Sequence, residues 1–309
     1  MILEPSRYTP GLIALVGLSL LGFLISLHPV LAATLSVAFL AGPHNLMEAR
    51  YLLGRLPGRV GKLRTYFVTS LVGVMLLGVS SLMLPFFDYS WSSRLWNASL
   101  ILWVVVLAAL RRAEHPRREW PWLEPVALLA AGLMWAYPLG FTFILVFGHP
   151  LLALVILGRE LHAFRRPERK FFPQVVAVVP VGLAVLVSGI YAQGWTGSGE
   201  LRSFFTLSDS SPLFLSCHTY LELVHYAVWV GALPLLARVT RREKLELYPA
   251  LRKSSKRLFA AKLFLLLGVA VAVALWWGFS TDFETTRDLY FRIAVFHVLV
   301  EFPFLLRLL

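Results

Sequence analysis

The chain has little cysteine and little charge for its length. Cys217 is the one cysteine among 309 residues, and Asp, Glu, Lys and Arg together make up 15% of the sequence. A single thiol excludes an intramolecular disulfide and any cysteine-rich zinc or iron–sulfur site, and the lack of a Cys-x-x-Cys-His motif excludes covalently attached haem. Since 58% of the residues are hydrophobic and the mean hydropathy is +0.72, the predicted class is an all-α, polytopic membrane protein.

The sequence also has no polar stretch long enough to form a second folded domain. Its longest polar connections, near Ala237–Arg257 and Gln193–Ser211, have the size of loops. We therefore predict a single integral-membrane domain over residues 1–309. The first residues lack the short basic lead of a cleaved signal peptide, so we expect the N-terminus to be retained.

Apolar runs of roughly 16–25 residues predict about ten transmembrane helices in a bundle. Their positions are near residues 11–27, 30–49, 65–86, 95–110, 122–137, 139–158, 172–194, 212–236, 258–280 and 285–307. Two long apolar runs are divided, one at His28-Pro29 and the other at Pro138-Leu139-Gly140. Proline suits the first turn of a new helix, which supports both divisions.

The net charge of +12 comes from basic clusters that follow the second, fourth, sixth and eighth predicted spans. The alternate loops carry only an isolated Arg94, Arg202 or Arg287. Ten spans with both termini in the cytoplasm place every cluster on the inner side of the membrane. Such clusters suit an anionic lipid leaflet better than nucleic acid. We therefore expect the lipid bilayer as partner, no nucleic acid, and the bacterial inner membrane as location.

Four histidines lie on four separate predicted spans: His44, His149, His225 and His297. Ionisable residues inside a span are costly and usually bind, relay or catalyse something. These four spans all run from the outer to the inner side. At 1.5 Å per residue, the four imidazoles fall ~15–21 Å below the outer surface. The common depth predicts a buried metal site. We expect His28, at a turn on the outer side, to be a helix–helix hydrogen-bonding residue, and His115 and His162, in basic loops, to be solvated.

Glutamates accompany three of the histidines at helical spacing. Glu48 and Glu301 each follow a histidine by four residues and so share its helix face. On the eighth span, a histidine, a glutamate and a second histidine form a polar stripe at positions i, i+4 and i+7. The last two make one Glu-x-x-His unit, of the kind found in di-iron bundles. The predicted metal ligands are His44, His149, His225 and His297, with His218 as a further candidate, and the predicted catalytic or ligand-orienting groups are Glu48, Glu222 and Glu301.

Imidazole with few carboxylates suits Fe(II), Zn(II) or Cu(II). Non-haem iron that activates oxygen towards a long apolar substrate is the main hypothesis, and a di-metal site using Glu222 or Glu301 stays open. Haem b and zinc are the other cofactors considered. Two further functions also stay open. One is a transporter or proton relay using the His/Glu stripe, and the other is a haem- or quinone-binding subunit of an electron-transfer complex.

The segment Gly42-Pro43-His44-Asn45-Leu46-Met47-Glu48 resembles a motif of the Brp/Blh family, which comprises membrane β-carotene dioxygenases. That family has a Pro-His-Gly segment with an acidic residue four positions after the histidine, and Asn45 stands here in place of the glycine. Further helix-borne histidines of the family are thought to bind catalytic iron. The resemblance implies oxidative cleavage of a carotenoid, with roles for His44 and Glu48.

Overall fold

The structure is a computed structural model, and it describes seven stretches of the chain. These are residues 9–54, 63–86, 89–114, 121–163, 167–194, 212–239 and 255–308. His115 and most of the basic loop residues lie outside them, so their predicted exposure stays a prediction. His28 and His162 are described, and both side chains are exposed. This agrees with the predicted solvation of His162, while the hydrogen bond predicted for His28 stays a prediction.

Within these stretches every regular secondary-structure element is a helix, which confirms the all-α prediction. The helices are α1 (Thr9–Leu27), α2 (Pro29–Gly54), α3 (Arg64–Met83), α4 (Tyr89–Glu114), α5 (Leu123–Ala136), α6 (Pro138–Ala163), α7 (Phe172–Ala192), α8 (Pro212–Tyr226), α9 (Leu233–Val239), α10 (Ser255–Thr281) and α11 (Phe283–Leu308). A π-helical segment, Ala227–Ala232, joins α8 to α9. Short 3-10 turns occupy Leu84–Phe86 and Pro167–Lys170.

Both predicted divisions are confirmed, because α2 begins at Pro29 and α6 begins at Pro138. In the described chain, eight helical segments are long and apolar enough to cross a membrane. Two shorter apolar helices, Gly11–Leu27 and Glu124–Ala136, occupy the other predicted spans. Many large apolar side chains on these helices are exposed, as expected of a surface that faces lipid. The count of ten spans and the cytoplasmic termini stay predictions.

The chain divides into two compact units, and the division falls inside two helices. The first unit comprises Met1–His44 and Pro150–Leu236, and the second comprises Asn45–His149 and Ala237–Leu309. The border thus lies next to His44 in α2 and next to His149 in α6. The prediction of one domain is not tested by this division and stays a prediction.

In the first unit, glycines let α1 pack closely against α7. A side chain at Gly22 would place its Cβ atom 2.4 Å from the carbonyl oxygen of Gly182. Gly182 in turn lies beside the Tyr220 hydroxyl, which donates a hydrogen bond to the Val179 carbonyl at 3.1 Å. Small residues at helix contacts are the usual means by which membrane helices approach each other. This contact fixes α8, the helix that carries His225.

In the second unit, α3, α4 and α11 enclose an apolar core. Tyr66, Trp103, Leu107 and Leu299 are buried members of it. The Tyr66 hydroxyl donates a hydrogen bond to the Pro303 carbonyl of α11 at 2.5 Å. Because an unpaired hydroxyl is costly in a dry core, this bond ties α11 to α3. The core therefore holds α11, the helix that carries His297 and Glu301.

Candidate metal centre

The first unit brings two of the predicted ligands together. The His44 and His225 rings lie with centroids 5.4 Å apart and an interplanar angle of 76°. Both side chains are buried, with exposed fractions of 1% and 0%. Nδ1 of His44 lies 3.3 Å from the Leu40 carbonyl oxygen, and Nδ1 of His225 lies 3.3 Å from the Pro150 carbonyl oxygen.

These carbonyls decide which ring nitrogen of each imidazole is available to a metal. A carbonyl oxygen only accepts, so the Nδ1 atom facing it carries the hydrogen and donates it. In the neutral ring, the lone pair that can bind a metal then lies on Nε2. A histidine ligand typically donates its other ring N–H in this way. His44 and His225 are thus arranged as Nε2 ligands.

Two aromatic side chains next to this histidine pair were not predicted from the sequence. The Tyr226 ring lies 4.3 Å from the His44 ring at an interplanar angle of 32°, and the Trp229 ring lies 6.2 Å from the His225 ring. Both aromatic side chains are almost fully buried. They lie one and four residues after His225 along the chain, but aromatic residues are common throughout this sequence, so their positions alone carried no signal.

The second unit brings together two histidines and two glutamates. Nδ1 of His149 lies 3.1 Å from Oε2 of Glu301, and the His149 and His297 ring centroids are 5.2 Å apart. Glu48 and His297 offer ligand atoms within 4.8 Å of each other. Both carboxylates are buried, with exposed fractions of 1% for Glu48 and 0% for Glu301. We call these four residues the second-unit cluster.

The spacing and charge of the second-unit cluster fit a divalent metal ion. Two donor atoms that each lie ~2.1 Å from one ion are at most ~4.2 Å apart. Glu48 and His297 offer donors within 4.8 Å of each other, as do His149 and Glu301, so each pair needs only a small inward movement to share an ion. Two ionised carboxylates beside neutral imidazoles would carry a net charge of about −2 in an apolar setting, which is very costly. A divalent cation would cancel that charge. The pairing with Glu301 leaves Nε2 of His149 as its ligand atom.

His218 and Glu222 pair with each other on α8. Nε2 of His218 lies 3.5 Å from Oε1 of Glu222, and both side chains are partly exposed. In the described part of the chain, neither residue belongs to a His/Glu group that could hold a metal. The two residues of the predicted stripe that are four positions apart thus contact each other on one helix face.

Each helix that carries a buried candidate has an internal proline or a π-helical segment within two residues of one such residue. Pro43 precedes His44 in α2, Pro150 follows His149 in α6, and Pro303 lies two residues after Glu301 in α11. The π-helical segment begins two residues after His225. An internal proline removes one backbone hydrogen bond, and π-helical segments occur often at functional sites. Pro180 in α7 has no candidate ligand beside it, so proline alone does not mark the site.

No protein-family model matches the chain, and neither a curated protein nor a solved structure matches it significantly. The resemblance of the segment around His44 to the Brp/Blh family therefore stays a prediction, as does the meeting of all four histidines at one centre. The findings establish apolar helices of membrane-spanning length and buried His/Glu groups that could hold a metal ion.

Proposed function

We propose that the chain is an integral-membrane non-haem iron oxygenase that acts on a long apolar substrate. The observation that carries the proposal is the second-unit cluster, in which two histidines and two buried carboxylates lie together. This cluster is carried by α2, α6 and α11, whose segments are apolar enough to span a bilayer. A polar centre of this kind inside lipid is a functional site by default.

The donor set favours iron. Two histidines with one carboxylate and open positions are typical of non-haem Fe(II) oxygenases, and His149, His297 and Glu48 would supply that set. When bound, iron would supply oxygen activation. The chain's own residues would hold the ion, orient the His149 imidazole through Glu301, and exclude water from the centre through their burial.

The substrate class follows from where the centre lies. A long apolar molecule dissolves in the bilayer and reaches a membrane-embedded site without crossing water. The resemblance of Pro43, His44 and Glu48 to the Brp/Blh motif makes a carotenoid the first substrate to test. We also propose ten spans with both termini in the cytoplasm of a bacterial inner membrane, because that topology places the basic clusters inside.

Haem b fits the ring geometry less well than a single ion does. Axial imidazoles bind on opposite faces of a porphyrin, so the macrocycle must lie between them. The two histidine pairs instead have their rings edge to face, with centroids 5.4 Å and 5.2 Å apart. Such close pairs favour a metal ion shared without a macrocycle.

Metal analysis of protein purified in detergent without chelator tests the metal site. We expect stoichiometric iron and an absorption spectrum without a Soret band. His149→Ala should lose the iron, because this residue links His297 to Glu301. The matched control is His162→Ala on the same helix α6, whose side chain is exposed, and it should keep the iron.

Any different outcome would overturn part of the proposal. Unchanged iron in His149→Ala would reject the ligand assignment, and a Soret band would move the histidines to haem. Protein that binds no metal would favour a proton relay, because protons on the two carboxylates would also cancel their charge. Iron-loaded protein that consumes no oxygen with carotenoid or lipid would retain the metal site and reject the oxygenase.

A further inference from the structure

A second polar group, far from the histidines along the chain, lies where α4 begins and α5 ends. The guanidinium carbon of Arg94 is 5.7 Å from the Trp91 ring centroid and 5.9 Å from the Trp135 ring centroid. The two indole rings meet edge to face, with centroids 6.3 Å apart. Both distances from the guanidinium are within the ~6 Å range of cation–π attraction. We call these three residues the Trp–Arg–Trp site.

The position of the site along its helices corresponds to the lipid headgroup level. Trp91 is the first residue of the candidate span Trp91–Ala113, and Trp135 is one residue before the end of the apolar helix Glu124–Ala136. Both indoles are more than half exposed, at 56% and 58%. Tryptophan favours the boundary between hydrocarbon and headgroups, so each ring is where a phospholipid would contact it.

The guanidinium of Arg94 retains donors that the indole rings do not use. A ring face attracts the charge of the guanidinium but does not replace a carboxylate as a geometrically matched acceptor. Among the described residues, Nε of Arg94 is buried and has no hydrogen-bond acceptor, while the side chain as a whole is partly exposed. A planar fork of N–H donors suits the paired oxygens of a phosphate group. The two indoles hold that fork in place, which lowers the entropy cost of binding.

The surface below the site is apolar along one stripe of α4. Leu95, Leu102 and Val106 follow Trp91 at helical spacing, and all three are exposed. An acyl chain can lie along this stripe while its headgroup reaches Arg94. We propose that the Trp–Arg–Trp site binds the phosphate group of a phospholipid whose acyl chain lies along α4. The stripe favours a lipid over a free phosphate ion.

Lipid binding to delipidated full-length protein tests the site, with native mass spectrometry as readout and phosphatidylglycerol as probe. Arg94→Gln should weaken binding of the tightest lipid on the order of tenfold, since it removes charge-assisted hydrogen bonds. Arg94→Lys should retain part of the affinity, because it keeps the charge and loses the fork. The matched control is Arg112→Gln at the other end of α4, where Arg112 is exposed and pairs with Glu124 at 2.9 Å.

Three results would overturn the proposal. The first is equal lipid affinity in Arg94→Gln and wild type. The second is equal loss in Arg112→Gln. The third is binding of inorganic phosphate as tight as that of phosphatidylglycerol, which would assign the site to a free anion. If Arg94→Gln does not fold, a photoreactive phosphatidylglycerol on wild-type protein decides. Its crosslinks should map to residues 91–95 and 135, and crosslinks spread evenly over other lipid-facing helices would reject the site.

Discussion

The two units orient their histidines by different means. In the first unit, His44 and His225 each have Nδ1 beside a backbone carbonyl, and aromatic rings pack against them. In the second unit, His149 has Nδ1 beside the carboxylate of Glu301, and His297 lies near Glu48. The first environment positions neutral imidazole, whereas the second also supplies the negative charge that a divalent ion needs. The carboxylates thus make the second unit the stronger candidate for holding the metal.

The largest expected effect is a loss of stability in the first unit, and it tests whether aromatic packing holds His44 in place. Tyr226→Ala should lower the free energy of unfolding by about 3–5 kcal/mol, because it removes a buried aromatic ring that packs on His44. Tyr226→Phe should restore most of that loss, since the ring remains. Thermal or denaturant unfolding in detergent measures both. The control is Tyr191→Ala in α7, whose side chain is 69% exposed.

If Tyr226→Phe is as unstable as Tyr226→Ala, the hydroxyl rather than the ring holds the first-unit pair. If the Tyr191→Ala control loses as much stability, the effect does not depend on burial. Either result would remove the aromatic contrast between the two units.

The next largest expected effect is a loss of iron affinity, and it tests the role of the carboxylates in the second unit. Glu301→Gln should lower iron affinity by about 10–100-fold, because groups that orient a ligating histidine typically contribute that much. Glu222→Gln should change iron affinity little, since Glu222 contacts His218 within α8, whereas Glu301 lies on α11. Competition with a chelator of known affinity measures both variants. Equal losses in the two would mean that the carboxylates of both units serve the metal, and would return Glu222 to the role predicted from the sequence.

Apolar runs predicted where the helices lie but not where they end. Hydropathy follows the hydrocarbon core, whereas a helix continues through polar residues. For this reason α2 extends to Gly54 and α4 begins at Tyr89, beyond their predicted spans. The breaks at Pro29 and Pro138 were predictable, because proline restricts the backbone locally. The π-helical segment after His225 was not predictable. It depends on a shift of backbone hydrogen bonds, and no residue type in Ala227–Ala232 indicates such a shift.

The candidate site was predictable to a similar extent. Charge in an apolar segment and four-residue spacing pointed to His44, Glu48, His297 and Glu301. The contact between His149 and Glu301 joins residues 152 positions apart in the sequence, and spacing along one helix carries no information on such a contact. The contacts of the Leu40 and Pro150 carbonyls with the histidines were equally unpredictable, because every residue has a carbonyl and only the fold determines which one lies beside a ring.

Smaller losses of stability are expected when glycines at helix contacts are replaced, one glycine in each unit. At Gly22 an added Cβ atom meets backbone, the Gly182 carbonyl oxygen at 2.4 Å, whereas at Gly78 it meets the Phe296 ring at 2.3 Å. A ring can rotate away and backbone cannot. Gly22→Ala should therefore cost about 2 kcal/mol of unfolding free energy and Gly78→Ala about 1 kcal/mol.

The control for both glycine variants is Gly17→Ala, also in α1, where nothing lies within 4 Å of the added atom. It should be neutral or stabilising, because alanine favours helix over glycine. A larger loss in Gly78→Ala than in Gly22→Ala would show that the ring beside His297 is held as rigidly as backbone. The second unit would then be the more tightly packed of the two.

The smallest effect lies at the start of α11, away from the cluster that this helix carries. Oδ1 of Asp282 accepts the backbone N–H of Thr285 at 3.1 Å and caps the helix. The Thr285 side chain and then its backbone N–H lower the pKa of Asp282 below its ordinary value of 3.8. A lowered carboxyl pKa gives stability that is present above the ordinary value and is lost as the pH falls through the folded-state value. Asp282→Ala should thus lower the melting temperature by about 1–2 °C at pH 7 and by less at pH 3.

Iron content should not change in Asp282→Ala, because the cap is about four helical turns from His297. Thermal unfolding at the two pH values, with metal analysis of the same samples, measures both quantities. Iron loss in this variant would mean that the second-unit cluster depends on the position of the whole helix and not only on its local contacts. The carboxylates would then orient the histidines only while α11 is fixed at both ends, and the contrast with the first unit, where Nδ1 of His44 faces a carbonyl of its own helix, would become sharper.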